Sequence, residues 1–123
     1  MSHIVQIQTE VRDPAAVIAA CRRLGLAAPV FEAVQLFSGQ ETGLAVRLPD
    51  WQYPVVCYTA SGQLKFDNYE GHWGDRNELD RFLQAYAVER ARLVARKAGH
   101  SVSEQTLADG SIKLTIQVAG GAL

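Results

Sequence analysis

VFEAVQLFSGQETGLAVRLPDWQYPVVCYTASGQLKFDNY, residues 30–69, decides the fold. Apolar and β-branched stretches are broken at short intervals by Ser38-Gly39, Pro49-Asp50 and Ser61-Gly62, each a turn signal. The spacing predicts an antiparallel meander. Its strands are expected over Phe31 to Phe37, Gly43 to Leu48, Tyr53 to Thr59 and Gln63 to Asn68, the last two joined by a tight Ala60-Ser61-Gly62 turn.

Upstream, the residues from His3 to Val11 alternate, with Val5, Ile7, Thr9 and Val11 on one face and Ile4, Gln6, Gln8 and Glu10 on the other, which is strand periodicity. Asp13-Pro14 then supplies an N-cap oxygen and a first-turn proline. Val17, Ile18, Cys21 and Leu24 follow at helical spacing until Gly25. Downstream, Asp75 caps a long helix, with Glu78 three positions on as a capping-box partner, and the helix is expected to reach Ala98 before Gly99. Leu79, Phe82, Leu83, Tyr86 and Leu93 give it an apolar stripe. Arg90, Arg92, Arg96 and Lys97 crowd its C-terminal half, where the helix dipole favours cations. A terminal hairpin turns at Asp109-Gly110, with Ile112, Leu114, Ile116 and Val118 on one face of its last strand, and residues 119–123 read as a frayed end.

The order β-α-β-β-β-β-α-β-β is that of an α+β protein with an antiparallel or mixed sheet and two helices packed on one face. A length of 123 residues suits a single domain, 1–123, and 48% apolar with 20% charged residues is the composition of a chain that folds unaided. Twelve Lys and Arg against thirteen Asp and Glu leave no field to attract nucleic acid or an anionic membrane. The basic end of the long helix reads as a solvated face in which Glu89 can pair with Arg92. No run approaches the roughly 18 apolar residues of a membrane span, and Met1 to Gln6 lacks the basic and apolar regions of a signal peptide, which points to the cytoplasm. Cys21 and Cys57 read as small buried hydrophobes.

The densest polar and aromatic segment runs from Asp67 to Asp75. Asp67, Glu70 and His72 are the candidate catalytic residues, since two carboxylates beside a histidine can transfer a proton, while Tyr69 and Trp73 can stack on a flat ligand. Read structurally, the same residues shape a tight connection, cap the helix and cover the core. Trp51, beside Asp50 in a turn, either folds back on the core or awaits a partner. His3, His72 and His100 are scattered too widely to announce a metal site, and no phosphate loop, dinucleotide fingerprint or nucleophile elbow occurs, so no cofactor is expected.

Met1-Ser2-His3, Val11-Arg12-Asp13, Leu83-Gln84-Ala85-Tyr86-Ala87 and Ala98-Gly99-His100-Ser101-Val102, followed by Asp109-Gly110-Ser111-Ile112-Lys113-Leu114, together resemble the family called hypothetical chloroplast open reading frame thirty-five. That family has plastid, cyanobacterial and other bacterial members. The resemblance covers nearly the whole chain, more loosely between Ala27 and Tyr58, and brings no catalytic residues with it. It implies a cytosolic or stromal location and an accessory role, with an ATPase of the AAA type as a partner. With no catalytic motif in the sequence, the first reading is a non-catalytic binding or accessory module that pairs with itself, as a homodimer, or with another protein through a sheet edge or an aromatic patch. The alternative is a small-molecule enzyme or ligand-binding protein using the loop from Asp67 to Asp75.

Overall fold

The computed structural model describes residues 4–118. The readings made for Met1, Ser2, His3 and residues 119–123 lie outside them. Asp13 opens the first helix, α1 (Pro14–Arg23): its carboxylate accepts the N–H of Ala15 at 3.0 Å, and Pro14 takes the first position, where no N–H is needed. Past Gly25, at φ 70°, the N–H of Leu26 donates to the Cys21 carbonyl at 2.9 Å and closes the helix. The longer helix, α2 (Arg76–Lys97), repeats both devices. Asp75 accepts the N–H of Asn77 at 2.9 Å, and beyond Gly99 the N–H of His100 donates to the Ala95 carbonyl at 2.8 Å. Glu78, read as the capping-box partner of Asp75, has its carboxylate 3.9 Å from Arg81, one turn along the helix.

Among the described residues the strands are β1 (Val5–Gln8), β2 (Val30–Gln35), β3 (Gln40–Val46), β4 (Val55–Tyr58), β5 (Gln63–Phe66), β6 (Ser101–Thr106) and β7 (Ile112–Gln117). The first five form one wholly antiparallel sheet in the order β1-β5-β4-β3-β2, so the chain is α+β, and of the two sheet types expected it has the antiparallel one. Strands β6 and β7 form a separate two-stranded sheet. The first strand is shorter than its alternation predicts. Thr9 turns its hydroxyl onto the Gly62 carbonyl at 2.6 Å and accepts the N–H of Val11 at 3.0 Å, which bends the chain out of the ladder. Phe37, read as the end of a strand, lies in a two-residue turn with Ser38, closed by the N–H of Leu36 donating to the Gly39 carbonyl at 2.8 Å.

The chain divides into two compact units at Tyr86, within α2. In the first, register aligns Leu44, Cys57, Leu64 and Ile7 on one face of the sheet and Ala45, Val56, Lys65 and Gln6 on the other. The Cys57 face buries Val46, Val55, Leu64 and Phe66. Burial first, and Cys21 of α1 second, raise the Cys57 pKa, and the Arg76 guanidinium at the start of α2 stands 5.8 Å from the Phe66 ring, so both helices cover this face. The hydroxyl of Tyr86 accepts the N–H groups of Arg12 and Asp13, at 3.1 and 3.0 Å, and ties α2 to the start of α1.

A second apolar cluster, Val34, Leu36, Ala45 and Val56, lies on the opposite face beneath half-buried Ile4, Tyr53 and Tyr58. Strand β4 is thus buried on both sides, which is why Val55-Val56-Cys57 reads as a continuous apolar run. In the second unit, α2 buries Val88 and Ala95, and Arg92 reaches Glu104 of β6 at 2.7 Å. The hairpin turns at Asp109-Gly110 as expected. The Asp109 carboxylate accepts both the hydroxyl and the N–H of Ser111 there, and these bonds hold it below the usual carboxylate range.

Candidate functional site

The segment 67–75 connects β5 to α2, and burial divides its candidate residues. Asp67 is 0% exposed, with Oδ1 accepting the N–H of Tyr69 at 3.4 Å and Oδ2 accepting no hydrogen bond among the described residues. Glu70 and His72 stand in solvent. Among the described residues, no group of three or more His, Cys, Asp or Glu side chains comes together to hold a metal.

Tyr69 and Glu70 adopt left-handed φ values of 47° and 53°, a conformation costing about 1–2 kcal/mol for each side-chain-bearing residue. Local hydrogen bonds hold the turn. Asn68 accepts on its carbonyl from Gly71 and Trp73 at 3.0 and 2.9 Å, and its amide donates to the Gly74 carbonyl at 3.2 Å.

Tyr69 and Trp73, read as walls for a flat ligand, and Trp51, read as core or partner-binding, all pack against neighbouring rings. Trp73 is a hub, its ring 4.8 Å from Tyr69, 5.1 Å from Phe37 and 5.6 Å from Tyr53 between centroids. Trp51 stands edge-on to Phe66 at 5.7 Å, donates Nε1–H to the Asp75 carbonyl at 3.0 Å, and lies against Gly74, where a Cβ would come within 2.6 Å of its Cγ and Cε2. Only glycine permits that approach. Trp51 is thus folded back on the core, one of the two positions its sequence context allowed.

A polar group that no local motif announces crosses three strands on the Val56 face. Tyr58 of β4 donates its hydroxyl to the Glu41 carboxylate of β3, Lys65 of β5 donates to the same oxygen at 3.1 Å, and the Lys65 ammonium sits 5.3 Å from the Tyr58 ring centroid. The Tyr58 bond and then Lys65 hold Glu41 below the usual glutamate range against the opposing effect of burial. Burial first, and the bond to Glu41 second, push Tyr58 up to about 12. The cluster ties β3, β4 and β5 together across one face of the sheet.

The remaining feature is the outer edge of β2. Phe31 is 73% exposed there, beside Val30 at 53%, and Phe37 at the hairpin turn is 57% exposed. The bond from Leu36 to Gly39 makes these two a hydrogen-bonded pair. Alternation along an antiparallel ladder then turns the N–H and C=O groups of Val34, Glu32 and Val30 toward β3 and those of Gln35, Ala33 and Phe31 outward. Native edges are blunted by lysine, proline, brevity or an unmet charge. The opposite edge strand, β1, has only four residues, whereas β2 has six, with neither lysine nor proline, and its one charge, Glu32, is met by Arg47 at 2.8 Å. The sequence contains these residues in plain view, but alternation does not say which strand lies at an edge.

No protein-family model matches the chain, and no characterised protein or solved structure is significantly similar to it. The family resemblance therefore rests on the residues quoted above. Among the described residues, no helix is long and apolar enough to cross a membrane.

Proposed function

We propose that this protein is a non-catalytic accessory module of the cytoplasm that joins a protein partner through the outer edge of β2. The observation that carries the reading is the pairing of an unblunted six-residue edge with the 73% exposed side chain of Phe31. Outward N–H and C=O groups supply the affinity of strand addition, and alternate side chains supply its selectivity. An exposed aromatic residue beside them is the kind of anchor on which interface energy concentrates. The walls of the loop from Asp67 to Asp75 are engaged in packing, which leaves the edge as the surface best suited to a partner. An AAA-type ATPase, implied by the family resemblance, is one class of polypeptide such an edge could receive.

Native mass spectrometry of the untagged protein isolated from its own cells tests this. The expected result is a complex with protein, either further copies of the chain or another polypeptide, that is lost when Ala33→Pro removes an outward N–H or Phe31→Lys charges the edge. A bare single chain, or a complex that survives both substitutions, would overturn the proposal. The second reading, a small-molecule site, keeps one observation in its favour: the unpartnered Oδ2 of fully buried Asp67. A retained small ligand that disappears in Asp67→Asn would move that reading to the front.

A further inference from the structure

Resting on that reading, we infer that the partner at the β2 edge is a second copy of this chain, joined antiparallel about a two-fold axis through Ala33, so that two five-stranded sheets become one of ten strands. Outward-facing groups must meet outward-facing groups, which restricts symmetric antiparallel pairings to those centred on Phe31, Glu32, Ala33, Val34 or Gln35. A centre at Glu32 brings Gln35 opposite Pro29, which has no N–H to give. A centre at Phe31 brings Ala33 opposite Pro29, which has no N–H to give. A centre at Val34 or Gln35 carries the exposed Val30 and Phe31 out toward or beyond the hairpin turn at Phe37-Ser38, where no ladder continues.

The centre at Ala33 alone uses the outward groups of Phe31, Ala33 and Gln35 from both chains. It sets Phe31 opposite Gln35 of the other copy, with the small Ala33 pair between the two rings leaving room for each. On the other face it brings Val30 to Leu36 at the far end of the other copy's strand, beside Phe37. All three exposed apolar residues of the hairpin, Val30, Phe31 and Phe37, are gathered into the joint. Charge is compatible as well: Glu32 falls opposite Val34 with its own Arg47 already at 2.8 Å, so two copies bring no unmet charge to a shared edge. A different polypeptide would have to supply this same apolar, uncharged complement. The chain already does.

Light scattering of the purified full-length protein reads the mass directly. The expected value is twice the 13.5 kDa of the chain, halved in Ala33→Pro, whose lost N–H serves no bond within its own sheet. Phe31→Lys is the second variant, expected to raise the dissociation constant at least tenfold with an unchanged circular dichroism spectrum. Ala33→Cys reads the register. Directly opposite residues of a hydrogen-bonded pair stand about 5.5 Å apart at Cα, within the roughly 4.4–6.8 Å that a disulfide spans. Under mild oxidant it is expected to form a covalent dimer at least tenfold faster than Val30→Cys, whose symmetry mate lies at the far end of the joint. The native Cys21 and Cys57 are buried and do not compete. A single-chain mass for the wild type, a dimer that persists in both edge variants, or equal cross-linking at positions 30 and 33 would overturn the inference. A single-chain mass for the purified protein, with another polypeptide held in cells and lost in Ala33→Pro, would overturn self-pairing and leave the edge reading standing.

Discussion

Gly74→Ala puts a methyl group into space that the Trp51 ring occupies. The added Cβ would lie within 2.6 Å of Cγ and Cε2 of that ring, well inside van der Waals contact, and Trp51 is a rigid two-ring system rather than a flexible chain end. Overpacking of this kind costs about 1–3 kcal/mol. If the ring swings away instead, it loses its hydrogen bond to the Asp75 carbonyl, about 1 kcal/mol, and its edge contact with Phe66, about 0.5–1.5 kcal/mol. Either route predicts a loss of about 2 kcal/mol. The φ of Gly74 lies outside the left-handed region, so alanine is otherwise compatible there, and with the ring removed the same change should gain about 0.4–1 kcal/mol by restricting the unfolded chain. The assay is a double-mutant cycle with Trp51→Ala, read by urea unfolding and circular dichroism at 222 nm. The expected coupling, that loss together with that gain, is about 2.4–3 kcal/mol, toward the upper end of what touching residues show. An equal cost for Gly74→Ala in both backgrounds would refute the packing described for this turn.

Tyr86→Phe leaves the N–H groups of Arg12 and Asp13 without their shared acceptor and is expected to cost about 1–3 kcal/mol in urea unfolding, with no change in secondary structure. The Glu41–Tyr58 pair gives stability two pH-dependent limbs. The folded pKa of Glu41 is depressed, so its contribution is present above the ordinary glutamate range and is lost as pH falls through the folded value. The folded pKa of Tyr58 is raised from about 10 to about 12, so its contribution is present below about 10 and is lost as pH rises between the two. Tyr58→Phe should flatten both limbs when unfolding midpoints are followed against pH, and limbs unchanged in the variant would refute the assignment. Burial pushes the Cys21 thiol up to about 11 and the Cys57 thiol up to about 12, so neither should react with Ellman's reagent at pH 8 until denaturant is added.

The local punctuation of this chain is legible because it depends on neighbours in sequence. Asp13-Pro14, Gly25, Asp75, Gly99 and Asp109-Gly110 all act where their side chains and backbone freedom predict. Strand pairing is another matter. Nothing in Val5 to Gln8 says that β1 pairs with the distant β5, and that choice leaves β2 at the edge of the sheet among the described residues. The alternation of Val30 to Gln35 identifies two faces but is the same for an edge strand as for an inner one, so the exposure of Phe31 emerges only with the strand order. In the loop from Asp67 to Asp75, sequence proximity suggests a shared site, yet the register carries Asp67 inward at the end of β5 while the turn that follows carries Glu70 and His72 out. Glu41, Tyr58 and Lys65 show the converse, since seventeen and seven residues separate positions that three adjacent strands bring to one carboxylate.

Both tryptophans of the chain are committed to one place, Trp73 within the loop that leads into α2 and Trp51 pressed against Gly74 of that same loop. The intrinsic emission of the protein is therefore a local optical probe. It reports solvent entry around residues 67–75, where both rings are packed. A shift in emission that precedes the loss of helical ellipticity would mean that this loop opens first.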